Sequence, residues 1–396
     1  MIIHYITNAR IPTEKAHGYQ IIKMCESFAS LKHSVTLVVP SRINSKELKK
    51  TDPYDYYESE KNFIIKKIPI PDLIWFAAGL PEKIQYLAFL KYSFIFALAS
   101  ILYCILHKPD LIITRDNRVA YVLSFFYKVI YESHLFPRTW IERYFEKHAY
   151  TRAAGYITIT RNLKNIYFQH GFTCDKFMVL ADGVDLNKFD SKMTKEDARK
   201  KIGLPDDSKI IGYMGRFQTL DEEKGIKELI KSIALLHDLK VRAVFVGGPM
   251  HLVPEYIKLI EQEGMAKDLF IFIDHVSHRE VPLYLKAFDC CAMPFPWTEH
   301  YAYFMSPLKM FEYMASKRPL VATRLPSVEE ILHEDMAALT EPGDVKELSA
   351  ALKKILTDEN YAVSIAENAF KEVKKYTWFI RAQKIIDRFV INDENK

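Results

Sequence analysis

The chain has 396 residues and a formal net charge of +5, from 55 basic and 50 acidic side chains. At roughly 150 residues per domain that length suggests two domains. An apolar fraction of 49% excludes a disordered chain, and so small a charge excess points to no nucleic-acid partner.

The opening MIIHYITNAR has no basic lead-in and turns polar by Asn8, so it reads as a first strand rather than a secretion signal. A long loop and the amphipathic stretch GYQIIKMCESFASL follow, then the strands SVTLVVP and FIIKKIPI. From Ile84 to Leu106 the chain is almost wholly apolar and long enough to cross a bilayer, which takes ~20 residues. Lys91 lies inside it, and strand–helix alternation continues on both sides. The expectation is therefore a buried helix, with one that also touches lipid as the alternative. DLIIT, KVIYESH, GYITIT and KFMVLADG read as further strands, with WIERYFEKHAYTRA and RNLKNIYFQH as helices between them. Such alternation predicts a mostly parallel sheet with helices on both faces.

At Asp182-Gly183-Val184-Asp185 the rhythm pauses, and a polar stretch follows. It restarts with KIIGYMG, KGIKELIKSIALLHDL, VRAVFVGG, VPEYIKLIEQEG, LFIFIDHV, HREVPLYLKAF, DCCAMPF, SPLKMFEYMAS and RPLVAT. Helices near 344–357 and 359–375 and a last one from Tyr376 end the pattern. The expected domains are 1–185 and 186–375. All five cysteines (Cys25, Cys104, Cys174, Cys290 and Cys291) are expected to be reduced core thiols, since no C-x-x-C pair occurs.

Several chemistries lose their sequence support. No G-x-x-x-x-G-K-[ST], G-x-G-x-x-G, G-x-S-x-G or H-E-x-x-H is present, nor any D-x-D pair to grip a metal-bound diphosphate. No histidine or cysteine spacing suits a metal site, so neither a bound metal nor a cofactor is expected.

Three patches carry chemistry. Ser306 and Pro307 suit the start of a helix, whose free N–H groups and positive dipole end attract phosphate. Glu312, six residues on, could reach a ribose diol beside it; the plainer reading is a capped helix with a solvent-facing glutamate. Arg216 and Lys224 flank the loop after KIIGYMG, where two cations can clamp a diphosphate as it leaves. The plainer reading is solvated charge in a loop that also holds Asp221, Glu222 and Glu223. His134 ends the strand KVIYESH at the ligand edge of its sheet and could orient a hydroxyl or move a proton, or be merely structural. Gly18, at the first helix start, would permit close approach of a phosphate, or simply cap.

In order and spacing these segments resemble the retaining nucleotide-sugar glycosyltransferases of the glycosyl transferases group 1 family. The resemblance rests on IPTEKAHGYQ with MCESFA, YESH, ADGVDLNKF, GYMGRF with EKG, VFVGG, and SPLKMFEYMAS with RPLVATRLPSVEEIL. It implies an α/β chain of two Rossmann-like domains facing each other across a cleft (GT-B), with the 376–396 helix packing back on the first. It further implies that Arg216, Lys224 and backbone N–H groups at Pro307 and Leu308 hold a donor diphosphate. Glu312 would then bind the ribose, His134 would face the reacting centre, and Gly18 would line the diphosphate side. One departure is plain: the family often carries a second glutamate eight residues before the ribose-binding one, and here that position is Phe304. Glu299 or His300 could substitute.

The expected function is retaining, metal-independent transfer of a hexosyl group from a nucleotide-sugar donor to a glycan or lipid-linked acceptor. The expected setting is the cytoplasm, peripheral at an anionic inner membrane face, with no nucleic acid involved. Two readings stay open beside it: a nucleotide-sugar epimerase or hydrolase on the same fold, and a non-catalytic membrane-surface partner.

Overall fold

Short apolar runs bounded by polar turns become strands covered on both faces, the arrangement that parallel sheets require. The computed structural model describes residues 1–173, 175–219 and 222–391. The first sheet contains β1 (Ile2–Ile6), β2 (Ser34–Pro40), β3 (Ile64–Ile68), β4 (Leu111–Thr114), β5 (Val129–Ser133), β6 (Gly155–Thr158) and β7 (Phe177–Val179). All pair in parallel, in the order β3-β2-β1-β4-β5-β6-β7. The second holds β8 (Lys209–Arg216), β11 (Val241–Gly248), β12 (Phe270–Ile273), β13 (Cys290–Met293), β14 (Leu320–Thr323) and β15 (Ala338–Thr340). Its order is β12-β11-β8-β13-β14-β15, again parallel. A small antiparallel pair, β9 (Gln218–Thr219) and β10 (Glu222–Glu223), sits in the loop after β8.

Two compact units result: Met1–Ala181 with the stretch from Trp378 onward, and Asp182–Thr377. The division falls at the start of the linker, four residues before the expected one, because the linker is bonded into the second unit. The Asp182 amide donates to Ser306 Oγ at 2.8 Å, and the Val184 amide to the Tyr376 carbonyl at 2.9 Å. The chain returns to the first unit at Trp378. The Trp378–Ile386 helix buries Trp378, Ala382, Ile385 and Ile386 and packs on the Ala16–Ser30 helix. It then widens into a π-helical turn over Asp387–Ile391, where a single helix was expected.

The core of the second unit interleaves Ile211, Tyr213 and Phe245 of its sheet with Leu229, Ile230 and Ile233 of the following helix. Cys25, Cys104, Cys290 and Cys291 are buried and free; Cys174 lies outside the described residues.

The apolar helix departs from expectation. It spans Glu82–His107 and buries Tyr92, Phe96, Ala97 and Cys104, yet only 33% of its most apolar 18-residue stretch is buried. Ile84, Leu87, Ile95, Leu98, Leu102 and Ile105 form an exposed stripe, with Leu102 67% exposed. Their three- and four-residue spacing puts them on one helix face, while the polar-interrupted face (Ser93, Ser100) is the one turned inward. The Asn117–Leu123 helix, not expected from the sequence, packs between this helix and the Trp140–Arg152 helix.

Candidate active site

In both sheets the order reverses beside the first strand: at β1/β4 in the first unit and at β8/β13 in the second. Loops leaving the C-terminal ends of two adjacent strands diverge there, which opens a crevice suited to a ligand. Arg216 is the last residue of β8, and the segment leading to Ser306 leaves β13. Patches 90 residues apart in sequence therefore share one edge.

Glycine closes that edge. Gly225 has φ +81°, and a Cβ there would lie 1.6 Å from the Pro294 carbonyl oxygen, so only glycine lets the loop after β8 lie against the end of β13. Lys224 precedes it, two residues before the Ile226–Ala234 helix rather than opening that helix. Burial and the neighbouring Arg216 charge together lower the Lys224 pKa to about 8. Of the acids expected in the same loop, Glu222 and Glu223 are bonded elsewhere. Glu223 accepts from the Gly225 amide at 2.9 Å and from the Ile226 amide, and Glu222 accepts from Thr298 Oγ1 at 2.9 Å. Asp221 lies outside the described residues. Among the described residues neither Arg216 nor Lys224 has a carboxylate partner.

The second phosphate candidate differs in detail from its expectation. The helix runs Leu308–Ala315 with Pro307, not Ser306, at the N-cap position, and no side chain caps it. Ser306 is occupied by Asp182 instead. Pro307 has no N–H to give, so it cannot serve as a backbone donor. The amides of Leu308 and Lys309 precede the helical ladder and are the donors free to meet an anion there. Burial raises the Glu312 carboxyl to about 7, against the pull of Lys188 and Lys309. Phe304 is buried at the position of the absent glutamate. Glu299 is exposed and opens the Glu299–Tyr303 helix, which His300 shares.

The first unit builds a different kind of cluster. Glu132, on β5, is fully buried and bonded on both oxygens. Arg381 Nη1 reaches Oε2 at 3.0 Å, while His134 Nε2 meets Oε1 at 2.6 Å and Gln20 donates to the same atom. Burial opposes ionisation, but Arg381 and His134 hold the Glu132 carboxyl well below the usual range. An ionised carboxylate only accepts, so the proton of His134 sits on Nε2 and the lone pair on Nδ1. Burial and the nearby Arg115 charge lower the His134 pKa to about 4, so the imidazole is neutral at pH 7. Arg115, directly after β4, donates to Gln20. His17 is held to about 3 by burial and by Arg115. Gly18 belongs to packing within this unit: a Cβ would fall 2.2 Å from the Tyr57 hydroxyl and 2.6 Å from Thr13 Cγ2.

Arg381, Gln20, Arg115 and Lys309 were not singled out from the sequence. Arg381 did leave a trace, being a charged residue on the apolar stripe Trp378, Ala382, Ile385. Among the described residues no three His, Cys, Asp or Glu side chains cluster as they would around a metal ion.

Residues 208–358 match the family described as glycosyl transferases group 1. A D-inositol 3-phosphate glycosyltransferase of Corynebacterium urealyticum is 28% identical over 226 residues, covering 54% of this chain and 51% of that protein. The chain thus spans about half the length of that curated relative. Among solved structures, sucrose-phosphate synthase from Thermosynechococcus elongatus superposes with a TM-score of 0.75 at 18% identity, covering 100% of both chains. Anabaena Alr3699/HepE, solved in complex with UDP, gives 0.74 at 17% identity over 98% of this chain and 99% of that one. These likenesses run the length of the chain and show the fold.

Proposed function

We propose that this chain, a GT-B fold whose residues 208–358 carry the glycosyl transferases group 1 signature, is a retaining glycosyltransferase acting without a metal ion. It moves a hexosyl group from a nucleoside diphosphate sugar to a hydroxyl of a glycan or lipid-linked acceptor. The carrying observation is the pair Arg216, at the end of β8, and Lys224, in the loop after it, without carboxylate partners among the described residues, on the same edge as the uncapped Leu308–Ala315 helix start.

As the bond from the sugar's anomeric carbon to the phosphate oxygen breaks, its electron pair passes to the diphosphate. Arg216, Lys224 and the Leu308 and Lys309 amides stabilise the charge that develops there. The acceptor oxygen bonds the same carbon from the same face, and its proton passes to the leaving diphosphate. Glu312 holds the ribose. On the acceptor side His134 offers Nδ1 as a fixed hydrogen-bond acceptor for the incoming hydroxyl. The complex of HepE with UDP makes UDP-sugars the first donors to test.

The acceptor-bearing surface is assigned to an anionic membrane. The stripe on Glu82–His107 continues onto Trp75, Phe76, Phe125, Phe126 and Trp140, all exposed, with Trp140 76% exposed. Phe94 and Phe145 meet at 5.0 Å and link the long helix to the Trp140–Arg152 helix beneath the patch. Lys83, Lys91, Arg143 and Lys147 are exposed around it. Aromatics with flanking cations suit the headgroup layer of a cytoplasmic leaflet.

The test is nucleoside diphosphate release from a donor panel, with and without lipid extract. Release that requires the extract supports transfer. Release without any acceptor indicates a hydrolase, and donor isomerised without release an epimerase. No turnover with any donor leaves only a binding role.

A further inference from the structure

Lys309 is 8% exposed, and its Nζ is buried with no hydrogen-bond partner among the described residues. The ammonium lies 3.7 Å from the centroid of the Tyr213 ring and 5.3 Å from that of Phe295. It fills the space beside the bare Cα of Gly215, where a Cβ would come within 3.3 Å of Nζ. Gly215 has φ +116° and immediately precedes Arg216 at the mouth of β8. The charged groups acting on Lys309 are Lys224, which repels it, and Glu312, one turn along its own helix, which attracts it. The Tyr213 hydroxyl points away to the Arg216 carbonyl, to which it donates at 2.8 Å, and the ammonium meets the ring.

An ammonium buried without a hydrogen-bond acceptor is costly. A methionine of similar length would fill this space at no such cost, so packing does not explain the lysine. Its surroundings have the chemistry of an anion subsite: Lys224, itself acted on by Arg216, repels it, and its own helix begins at Leu308 without a side-chain cap.

We propose that Lys309 is a phosphate-binding residue of the donor site, its ammonium taking a phosphate oxygen of the nucleoside diphosphate as the partner it lacks among the described residues. This rests on the donor reading above. Burial and Lys224 hold the Lys309 pKa well below its usual value, and an anion bound beside the ammonium would oppose both effects.

The experiment is calorimetry at pH 8 with UDP and with inorganic pyrophosphate, alongside thermal unfolding without ligand. Lys309→Met is expected to weaken both ligands roughly 10- to 100-fold. It should leave the unliganded melting temperature equal or higher. Lys309→Gln, which keeps a polar end, should weaken both ligands likewise and guards against a methionine variant that does not fold. Wild-type affinity in both variants overturns the proposal. So does a loss of affinity that only tracks a lowered melting temperature. If Arg216→Ala weakens UDP while the Lys309 variants do not, the donor site stands and the role of Lys309 falls. If the wild type binds neither probe, both readings fall.

Discussion

The two units treat charge in opposite ways. In the first, Glu132 is saturated by Arg381, His134 and Gln20 before any ligand arrives. In the second, Arg216, Lys224 and Lys309 crowd one strand mouth with no acid bonded to any of them among the described residues. A satisfied buried network is rigid and presents a defined surface. A cluster of like charges is held together at a cost that an anionic ligand relieves. On the function proposed above, the contrast gives positioning to the first unit and ligand capture to the second, and it can be broken from either side.

The largest effect is expected from the closed network. Arg381→Met leaves Glu132 ionised and buried with its main partner gone, which costs about 3–5 kcal/mol. Urea unfolding should show this loss, and an unchanged midpoint would mean that the network is not closed. The open cluster should respond in the opposite sense. Arg216→Ala and Lys224→Ala are each expected to slow turnover ~10²–10³-fold, about 3–4 kcal/mol in the barrier, while the melting temperature holds or rises. Wild-type turnover in both variants would remove the clamp.

Glu312→Ala should weaken the free nucleoside diphosphate as well as the donor by about 1.5–3 kcal/mol, because both carry the ribose. Unchanged calorimetric affinity would return Glu312 to a structural role.

One group in each unit, His134 and Glu312, should also titrate in opposite directions. His134, lowered to about 4 from 6.5, holds fewer protons folded than unfolded, so its contribution to stability is lost as pH falls through that window. Glu312, raised to about 7 from 4.5, holds more protons folded, so its contribution is present in acid and lost as pH rises through 4.5 to 7. Urea midpoints between pH 4 and 8 should show a shallower first trend in His134→Gln and a shallower second trend in Glu312→Gln. Identical profiles in all three proteins would contradict both assignments.

The smallest effect concerns the surface, at about 1 kcal/mol for each cation near an anionic headgroup layer. The wild type should float with phosphatidylserine vesicles at low salt and less at high salt, and Leu98→Glu with Leu102→Glu should not float. No flotation at low salt, or self-association through the stripe instead, would end the membrane assignment and leave the transfer chemistry standing.

The strand–helix rhythm was legible in the sequence because each apolar run carries its own period, and the strands of both sheets except β15 were read from it. The linker and the Arg216, Lys224 and Glu312 patches were legible because turn and cap chemistry is local. The Leu308–Ala315 helix start was only half legible. The composition of Ser306-Pro307 announces a cap, but Ser306 is drawn off by an amide 124 residues away.

What local reading could not give is which charges meet. Glu132 and Arg381 are 249 residues apart and touch only because the Trp378–Ile386 helix packs on the first unit. Lys309 looks like an ordinary first-turn lysine until β8 and β13 pair, and Gly215 and Tyr213 then enclose its ammonium. The sequence also leaves open which side of Glu82–His107 turns inward, since the helix is apolar nearly all round and its periodicity is weak. Packing chose the face carrying Ser93, Phe96 and Ser100. Period, propensity and capping act over a few residues and are written along the chain, whereas burial and charge pairing depend on which distant elements share an edge, and that is set only when the sheets close.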